Sequence, residues 1–447
     1  MVSSPAADGF DNAVVLWCAD VVVPITASPI RNGCIAVRGE HIVAVGSQAS
    51  LRETYLDAAV RAVDGFLLPG LVNAHTHLQF TTFAAMGKTP FVDYTAWSER
   101  FVEEYDARPN EDWVAACHAG VELSLAAGVT CIADVVTDFE ARDVLFDRSI
   151  SGVAYLELIG LDLKQWDSGI GAELATAVSS APTTERTSVG ISPHAPYSVE
   201  PPVMTAMAVL ARELGVRLHS HVAESDGEHE FYQTGTGTLA DRVRVVANRP
   251  VAILEQGGFA MTAAEVVSSV GLLGTDSHIA HGVYLKHAGR ALVAAAGSIV
   301  ALCPRSNVIV GIDPPPVADY LDENIPFAVG TDSLSSSPSL DPLDDLHLLK
   351  KLAIEQGADQ HDLDRRLLAA ATIGGARAMG LEDQLGSLEV GKRADFAIFD
   401  LGPNAGASNI EAALVDEGAG RCVLTIIGGD ERWRAHKPRA DEGSLYD

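Results

Sequence analysis

The chain has 447 residues and is strongly acidic, since 31 lysines and arginines against 60 aspartates and glutamates give a formal net charge of −29. This charge argues against nucleic-acid binding, because phosphate contacts need a basic surface. No apolar run reaches the ~18 residues needed to span a bilayer, and the first residues lack the basic and apolar regions of a secretion signal, so we expect a cytoplasmic protein with no membrane contact.

Two segments, residues 1–66 and 387–447, are predicted to be rich in β-strands. VVLWCADVVVPIT and GCIAVRGEHIVAVG near the start, and GSLEVGKRADFAIFDL near the end, contain many valines and isoleucines and are broken by glycine. We expect the two segments to pair into one small composite β-sandwich domain. The six cysteines show no CxxC spacing, which favours reduced thiols over a disulfide framework or a zinc knuckle.

The central region, residues 67–386, alternates apolar strand-like segments such as GVTCIADVV with alanine-rich helical ones such as WVAACHAGVELSLAAG. This alternation predicts a parallel sheet covered by helices. About eight such units over roughly 320 residues favour an α/β fold of the (β/α)8 TIM-barrel type over an open Rossmann sheet. The chain contains no GxGxxG or GxxxxGKS/T motif, so no nucleotide-phosphate loop is expected. SLSSSPS is one of two short low-complexity stretches.

The first candidate metal ligands are His75 and His77, which follow the apolar run LLPGLVNA. Catalytic groups of a barrel lie at the carboxyl ends of its strands. Residues i and i+2 of a strand point the same way, so both imidazoles can face one metal ion. Two histidines at this spacing are a weak motif alone, and a structural placement is the alternative unless partners occur elsewhere.

The segment LHSHVAES supplies the next two candidates, His221 and Glu224. His221 ends an apolar strand, and Glu224 follows three residues later. A neutral histidine ligand beside a carboxylate that moves protons is what metal-assisted hydrolysis requires. The alternative for Glu224 is a surface or helix-capping carboxylate. His219 has the same orientation as His221 and is therefore the alternative ligand, but it lies one residue pair deeper, which favours a place behind the ligands.

Three further strand ends carry polar groups. In SHIAHGV, His281 precedes a glycine and is preferred over His278 as the functional residue. In FAVGTDS, Asp332 can bind a metal and accept a proton from water, or it can cap its loop. In ISPHAPYS, His194 either contacts substrate or holds its loop. No lysine ends the strand GVAYLELIG, so a carbamylated lysine between two metals is not expected and one metal is the simpler model.

The order HTH, SPHAPYS, HSHVAES, HGV and GTDS resembles the amidohydrolase superfamily, in the branch of one-metal aminohydrolases that act on nucleobases and related rings. The closing LGSLEVGKRADFAIFD is similar to the composite β-sandwich of that branch, so the resemblance covers nearly the whole chain. It implies a single divalent metal ion, zinc with iron(II) as the alternative, bound by His75, His77, His221 and Asp332. A homodimer is common among such relatives.

The same resemblance implies the catalytic roles in a hydrolytic deamination. Asp332 is expected to accept a proton from water, while His281 orients the attacking oxygen. Glu224 is expected to protonate the ring nitrogen and then to pass a proton to the leaving amine. His194 is implied as a substrate contact. The substrates would be water and a small aminated heterocycle or nucleoside.

A finer resemblance is to the aminodeoxyfutalosine deaminases of the alternative menaquinone route. It rests on NAHTHLQF, EHEFYQTGTG, LCPRSNVIVG and GTDSLSSSPSLD, and it implies conversion of 6-amino-6-deoxyfutalosine to futalosine and ammonia. Gln79 stands where that pattern often has glutamate and is a candidate substrate contact. Arg305, in CPRSN, either locks its loop or pairs with a substrate carboxylate.

Other functions fit the same residues. Deamination of adenosine, methylthioadenosine, adenosylhomocysteine, guanine or a pterin needs the same metal and acids, as does a triazine-type chlorohydrolase. A ring-opening amide hydrolase would act on cyclic amides and release no ammonia from aminopurines. A non-catalytic metal-binding scaffold is the alternative from another class, but such relatives typically lose ligands, whereas every expected ligand is present here.

Overall fold

The computed structural model describes residues 13–247, 250–402 and 409–435. Within these ranges the strands form two sheets. The strands are β1 (Val14–Val22), β2 (Ile30–Arg38), β3 (His41–Ser47), β4 (Ala59–Pro69), β5 (Leu71–Thr76), β6 (Val129–Val136), β7 (Ser151–Leu158), β8 (Thr187–Pro193), β9 (Leu218–Val222), β10 (Ser277–His281), β11 (Ile299–Leu302), β12 (Phe327–Val329), β13 (Phe396–Phe399), β14 (Cys422–Ile427) and β15 (Asp430–Arg434).

Strands β5 to β12 form the barrel predicted from the sequence. They lie side by side in chain order, and every neighbouring pair is parallel. All eight residues of β6 are buried, because one face of the strand points into the barrel and the other is covered by helices. The α/β barrel fold is therefore confirmed, and the carboxyl ends of its strands open on one side.

The last strand of the barrel meets the first through side chains as well as backbone. Asn73 in β5 donates from Nδ2 to Oγ1 of Thr331 at 2.8 Å and accepts the Thr331 backbone N–H on Oδ1 at 3.0 Å. Asp332 N then donates to the carbonyl of His75 at 3.0 Å, and Thr76 Oγ1 donates to the carbonyl of Asp332 at 2.9 Å. These bonds bring the residues after β12 against the end of β5, where two candidate ligands lie.

Helices connect the barrel strands and cover them. The longer α-helices are Tyr94–Asp106, Trp113–Ala126, Gly171–Ser179, Pro201–Leu214, Gly227–Thr234, Thr238–Ala247, His287–Ala295, Pro342–Glu355 and Ile410–Glu417. Shorter ones are Gln48–Thr54, Val144–Asp147, Leu163–Gln165, Ala252–Gln256, Ala263–Ser269, Pro304–Val310, Val317–Asp322, Leu363–Ala369 and Gly375–Ala378. There are 3-10 turns at Leu78–Phe83, Met86–Lys88 and Phe139–Ala141, and π-helical turns at Trp166–Ile170 and Ala370–Gly374. None of the helices in the described ranges combines the length and apolar character that crossing a membrane requires.

The second sheet is built from both ends of the chain, as predicted. Its seven strands run in the order β15-β14-β13-β4-β1-β2-β3. Only β1 and β4 pair in parallel, and the other neighbours are antiparallel. Trp17 of β1 packs edge-to-face on Phe396 of β13 with ring centroids 5.3 Å apart, which joins the amino-terminal and carboxy-terminal strands through one apolar cluster. The domain boundaries at residues 66/67 and 386/387 stay a prediction; β4 continues through the first of them to Pro69.

The expectation of reduced cysteines is wrong for one pair. Cys18 of β1 and Cys34 of β2 stand directly opposite each other and form a disulfide. The sequence could not show this pairing, because it depends on the register between two antiparallel strands. The remaining thiols, Cys117, Cys131, Cys303 and Cys422, are free and buried, as expected.

Candidate active site

The four candidate metal ligands meet at the carboxyl ends of three barrel strands. His75 is the fifth residue of β5, and His77 follows the last. Nε2 of His77 lies 3.2 Å from Nε2 of His221, which is in β9. Oδ1 of Asp332, three residues after β12, lies 3.4 Å from Nε2 of His75 and 3.6 Å from Nε2 of His77. All four side chains are buried and direct nitrogen or oxygen atoms at one point.

These atoms fit a divalent metal ion. Ligand atoms of a tetrahedral zinc site with bonds of about 2.1 Å lie about 3.4 Å apart, close to the distances above. The buried Nε2 of His75 has no hydrogen-bond partner, as expected of an atom reserved for a metal. Burial, and then the charge of His75, lowers the pKa of His77 to about 3, and burial holds the pKa of His221 well below its usual value. The rings of His77 and His221 are therefore neutral, which is the form that binds metals.

Two serines hold one oxygen of the Asp332 carboxyl group. Its Oδ2 accepts hydrogen bonds from Oγ of Ser306 at 2.7 Å and of Ser336 at 2.6 Å, so Oδ1 is the oxygen directed at the histidines. Burial alone would raise the pKa of Asp332, but its interaction with His75 and the neighbouring histidines holds the pKa well below the usual value. Sequence reasoning missed both serines, although Ser336 belongs to the stretch SLSSSPS that follows Asp332 directly.

The backbone is strained at two of the candidate catalytic residues. Asp332 has φ of 58° and His281 has φ of 73°, and such left-handed conformations cost a non-glycine residue about 1–3 kcal/mol. Close packing makes Gly330 necessary nearby, since a Cβ at this position would lie 2.7 Å from Cβ of His75. The GTDS segment therefore lets the chain pass close to β5 and turn the carboxylate of Asp332 toward the histidines.

Buried polar groups behind the ligands orient their rings. Nδ1 of His221 donates to the carbonyl oxygen of His194 at 3.1 Å, and Nδ1 of His75 is hydrogen-bonded to Nε2 of His219 at 3.1 Å. Nε2 of His278 donates in turn to the carbonyl of Ala74 at 2.9 Å. Partners of this kind fix the tautomer that presents Nε2 to a metal. His219 and His278 thus lie behind the ligands rather than among them.

Glu224 and His281 face each other beside the ligand cluster. Oε1 of Glu224 lies 3.6 Å from Nε2 of His281, and both side chains are buried. Burial, followed by the charges of Asp332 and Glu228, raises the pKa of Glu224 well above its usual value. Burial also lowers the pKa of His281 to about 3. The pair therefore combines a carboxyl group that is less acidic than usual with an imidazole that stays neutral near pH 7.

The loop that carries Glu224 is held by a second acid that the sequence analysis missed. Oε1 of Glu228 accepts the backbone N–H of Glu224 at 2.7 Å and of Ser225 at 3.1 Å, and Oε2 accepts that of Ala223 at 2.9 Å. Ala223 has φ of 54°, so the loop is strained as well as fixed. The sequence could have indicated Glu228, because it is an acid four residues after Glu224 at the start of the helix Gly227–Thr234.

Gln79 does not reach the cavity above the ligands. Its side chain is fully buried, and Oε1 accepts the backbone N–H of Thr137 at 2.9 Å and of Asp138 at 3.2 Å. Nε2 donates to Oδ2 of Asp138 at 3.0 Å. The structure therefore corrects the predicted substrate contact: Gln79 connects the turn after β5 to the loop after β6.

Arg305 is also directed away from the cavity. Its Nε and Nη2 donate to Oδ2 of Asp345 at 3.0 and 2.8 Å, and Nη1 donates to Oδ2 of Asp344 at 2.9 Å and to Oγ of Ser339 at 2.7 Å. Nη2 also reaches the carbonyls of Ser339 and Asp341. The predicted contact with a substrate carboxylate is corrected accordingly, because these partners correspond to the loop-locking alternative.

A cavity of about 490 Å³ lies above the ligand cluster. His77, His221, Glu224, His281 and Asp332 form part of its wall, together with His194. Nδ1 of His194 is hydrogen-bonded to Oγ of Ser198 at 2.8 Å, and burial lowers the pKa of the ring to about 4. Much of the remaining wall is aromatic, which suits a flat heterocycle: Phe80, Tyr94, Trp97, Phe101, Tyr105, Tyr197 and Phe259.

The sequence analysis did not identify Glu157 or Arg242, which also lie in the cavity wall. Glu157, in β7, is 3% exposed, and burial raises the pKa of its carboxyl to about 8. Glu157 lies in GVAYLELIG, for which the sequence analysis predicted only that no lysine ends the strand. Arg242 is the only lysine or arginine among the described residues of the wall, and Nη1 lies 3.5 Å from Oε1 of the exposed Glu99. Its helical segment carries no motif that points to a site.

Comparison with known proteins places the chain among metal-dependent hydrolases: residues 66–432 match the amidohydrolase family, and the chain belongs to that family. As predicted, it is a hydrolytic enzyme of the aminohydrolase type. It is 30% identical to a 5-methylthioadenosine/S-adenosylhomocysteine deaminase of Moorella thermoacetica over 417 residues, 91% of this chain and 90% of that protein. It is 29% identical over 374 residues to an aminodeoxyfutalosine deaminase of Deinococcus radiodurans, covering 82% of this chain and 85% of the relative.

A solved structure shares both fold and sequence with this chain. An adenosine deaminase from Xanthomonas campestris with bound zinc superposes with a TM-score of 0.77 at 26% identity, covering 94% of this chain and 93% of that one. Relatives in both comparisons are thus purine-type nucleoside deaminases.

Proposed function

We propose that this enzyme hydrolyses the amino group from the purine ring of a nucleoside and releases ammonia. The observation that carries the proposal is that Glu224, His281 and Asp332 meet beside a cluster of three buried histidines, at one wall of an aromatic cavity. Such a cavity accepts a flat ring, and the buried acid can deliver a proton to it. The deaminase relatives support the same reaction.

We propose one divalent ion, zinc, bound by His75, His77, His221 and Asp332. The zinc in the Xanthomonas campestris structure supports this choice, and the donor set of nitrogen and oxygen atoms also suits iron(II). When bound, such an ion lowers the pKa of water from 15.7 to about 7 and so supplies hydroxide near neutral pH.

The residues of this chain then move the protons. Asp332 accepts the proton of the attacking water on its carboxylate, and Nε2 of His281 orients the attacking oxygen. The carboxyl of Glu224 protonates the ring nitrogen next to the amino-bearing carbon, which makes that carbon more electrophilic. Glu224 then takes the remaining proton from the added hydroxyl as the carbonyl forms, and Asp332 passes its proton to the amine, which leaves as ammonia. His194, on the same wall, contacts the bound nucleoside.

For the substrate we propose 6-amino-6-deoxyfutalosine, which the enzyme would convert to futalosine for menaquinone biosynthesis. The Deinococcus radiodurans relative supports this choice, as does the large aromatic cavity, since this nucleoside carries a second ring. Its carboxylate needs a cation, and Arg242 is available in the cavity wall. A 5-methylthioadenosine/S-adenosylhomocysteine deaminase is the second candidate, because the Moorella thermoacetica relative has that activity and covers more of the chain.

A substrate panel on zinc-loaded protein tests the proposal. Ammonia release is followed for 6-amino-6-deoxyfutalosine, adenosine, 5-methylthioadenosine, S-adenosylhomocysteine and guanine. The ultraviolet change from adenine to hypoxanthine is followed for the four adenine nucleosides. We expect the highest kcat/KM for 6-amino-6-deoxyfutalosine. A higher value for 5-methylthioadenosine would select the second candidate, and absence of ammonia release from every purine would refute deamination.

A further inference from the structure

Glu157 lies in the cavity wall and keeps one buried carboxyl oxygen that has no hydrogen-bond partner among the described residues. The side chain is 3% exposed, and Oε2 accepts a hydrogen bond from Oγ1 of Thr137 at 2.9 Å. The other oxygen, Oε1, is buried and has no hydrogen-bond partner. Both Glu157 and Thr137 lie in the cavity wall. Leaving a buried acceptor without a partner costs about 1–3 kcal/mol, so a ligand that supplies a donor here gains affinity.

The nearest ring nitrogen does not satisfy Oε1. Nδ1 of His221 lies 3.7 Å from it, but this nitrogen has a shorter contact, 3.1 Å, with the carbonyl oxygen of His194. Because a carbonyl can only accept, the Nδ1–H points there. Thr137, whose hydroxyl is bound to the opposite oxygen, fixes the orientation of the carboxylate. Glu157 is thus held in place without serving as the orienting partner of His221.

Glu157 and the other candidate ligands lie at different edges of the His221 ring. Glu157 lies beside the Nδ1 edge of His221, whereas Nε2 of the same ring faces the other candidate ligands. Glu224 and His281, which are placed at the amino-bearing carbon, lie beside that ligand cluster. A donor that reaches Glu157 therefore belongs to another part of the substrate. In an adenine nucleoside the donors apart from the amino group are the sugar hydroxyls.

We propose that Glu157 is a specificity-determining residue that accepts a hydrogen bond from a sugar hydroxyl of the nucleoside through Oε1. The inference rests on the proposed nucleoside deamination and extends it, since it states which part of the substrate the enzyme recognises besides the ring. Thr137 acts as a positioning residue by holding Oε2. Substrates that lack the contacted hydroxyl bind more weakly and gain nothing from Glu157.

The test compares Glu157→Leu, which removes the acceptor, with Glu157→Gln, which keeps one oxygen. Glu140→Gln serves as a control, because Glu140 is an exposed acid in the adjoining loop. The substrates are adenosine, 2'-deoxyadenosine and 3'-deoxyadenosine. For Glu157→Leu we expect KM for adenosine to rise about 10- to 100-fold, with a much smaller change for one deoxy analogue. Glu157→Gln should recover part of the loss, and zinc content should be unchanged in all variants.

Some results would refute the role of Glu157 and leave the proposed nucleoside deamination intact. Equal losses on all three nucleosides, or a loss of kcat alone, would refute recognition of a hydroxyl. So would a second bound zinc per chain that disappears in Glu157→Leu, since Glu157, His194 and His221 bring ligand atoms within 4.8 Å. If the wild type deaminates none of the three and none of the other purines of the substrate panel, nucleoside deamination itself is refuted. Thermal shifts with inosine, 2'-deoxyinosine and 3'-deoxyinosine then still report on Glu157, and equal shifts with all three would refute its role.

Discussion

The carbonyl oxygen of His194 binds His221 twice, through the backbone N–H at 2.8 Å and through Nδ1 of the ring at 3.1 Å. One oxygen at the end of β8 thereby fixes both the strand and the imidazole of its neighbour in β9. The ring is left with Nε2 free toward His77. The geometry thus supports the proposal that His221 is a metal ligand and that His219, bonded to Nδ1 of His75, has a supporting role.

Replacing the two histidines separates these roles. His221→Ala removes a donor atom from the cluster, so metal binding should be nearly abolished. His219→Ala removes only the partner of His75 and should weaken affinity by about 10- to 100-fold, as is typical for such partners. Metal content after dialysis against a graded chelator measures both effects, with the exposed His229→Ala as control. A His221→Ala protein that retains one tightly bound ion would contradict the ligand assignment.

Glu224→Gln tests proton transfer without removing a ligand. The amide cannot deliver the proton that the buried carboxyl supplies, so we expect turnover to fall about 100- to 10,000-fold. Zinc content should equal that of the wild type, because Glu224 faces His281 rather than the ligand nitrogens. Ammonia release under saturating substrate is the measurement, and Glu213→Gln, an exposed acid on the helix Pro201–Leu214, is the control. Near-normal turnover of Glu224→Gln would exclude it as the proton donor.

The sequence predicted best what depends on strand ends. Five of the candidate residues each lie at the end of an apolar run: His75, His77, His221, His281 and Asp332. Parallel strands of a barrel bring such ends together, whatever their separation along the chain. The alternation of strands and helices was therefore enough to place them on one side of the molecule. Both β-rich ends also joined in one sheet as predicted.

What the sequence did not reveal depends on side-chain direction and on remote pairing. Gln79 follows the HTH motif closely, yet its amide turns to the backbone of Asp138, 59 residues away. Ser306 and Asp332 are 26 residues apart and meet only because neighbouring barrel strands do. The disulfide of Cys18 and Cys34 likewise requires the register of β1 and β2. None of these contacts is encoded in local periodicity.

Arg305 should matter for stability rather than for substrate choice. Arg305→Met leaves the fully buried Asp345 without its ionic partner, and breaking such a pair typically costs about 3–5 kcal/mol. Chemical denaturation measures the loss in the free energy of unfolding, and Arg365→Met, at an exposed arginine, provides the control. KM for 6-amino-6-deoxyfutalosine and for adenosine should change by the same factor. A selective rise for the carboxylate-bearing substrate at unchanged stability would restore Arg305 as a substrate contact.

Arg242 is expected to distinguish substrates by charge. Arg242 lines the cavity, and its ionic partner Glu99 lies 3.5 Å away with a largely exposed side chain. An exposed ion pair contributes little to stability, so a substrate carboxylate can replace Glu99 at little cost. Charge-assisted hydrogen bonds contribute about 1.5–3 kcal/mol, so Arg242→Gln should raise KM for 6-amino-6-deoxyfutalosine about 10- to 100-fold. KM for adenosine and for 5-methylthioadenosine, which carry no carboxylate, should stay nearly unchanged. Steady-state kinetics on the three substrates measure this, with the exposed Arg244→Gln on the same helix as control. Equal effects on charged and neutral nucleosides would show that Arg242 supports the cavity wall instead, and the anionic substrate would lose its main physical support.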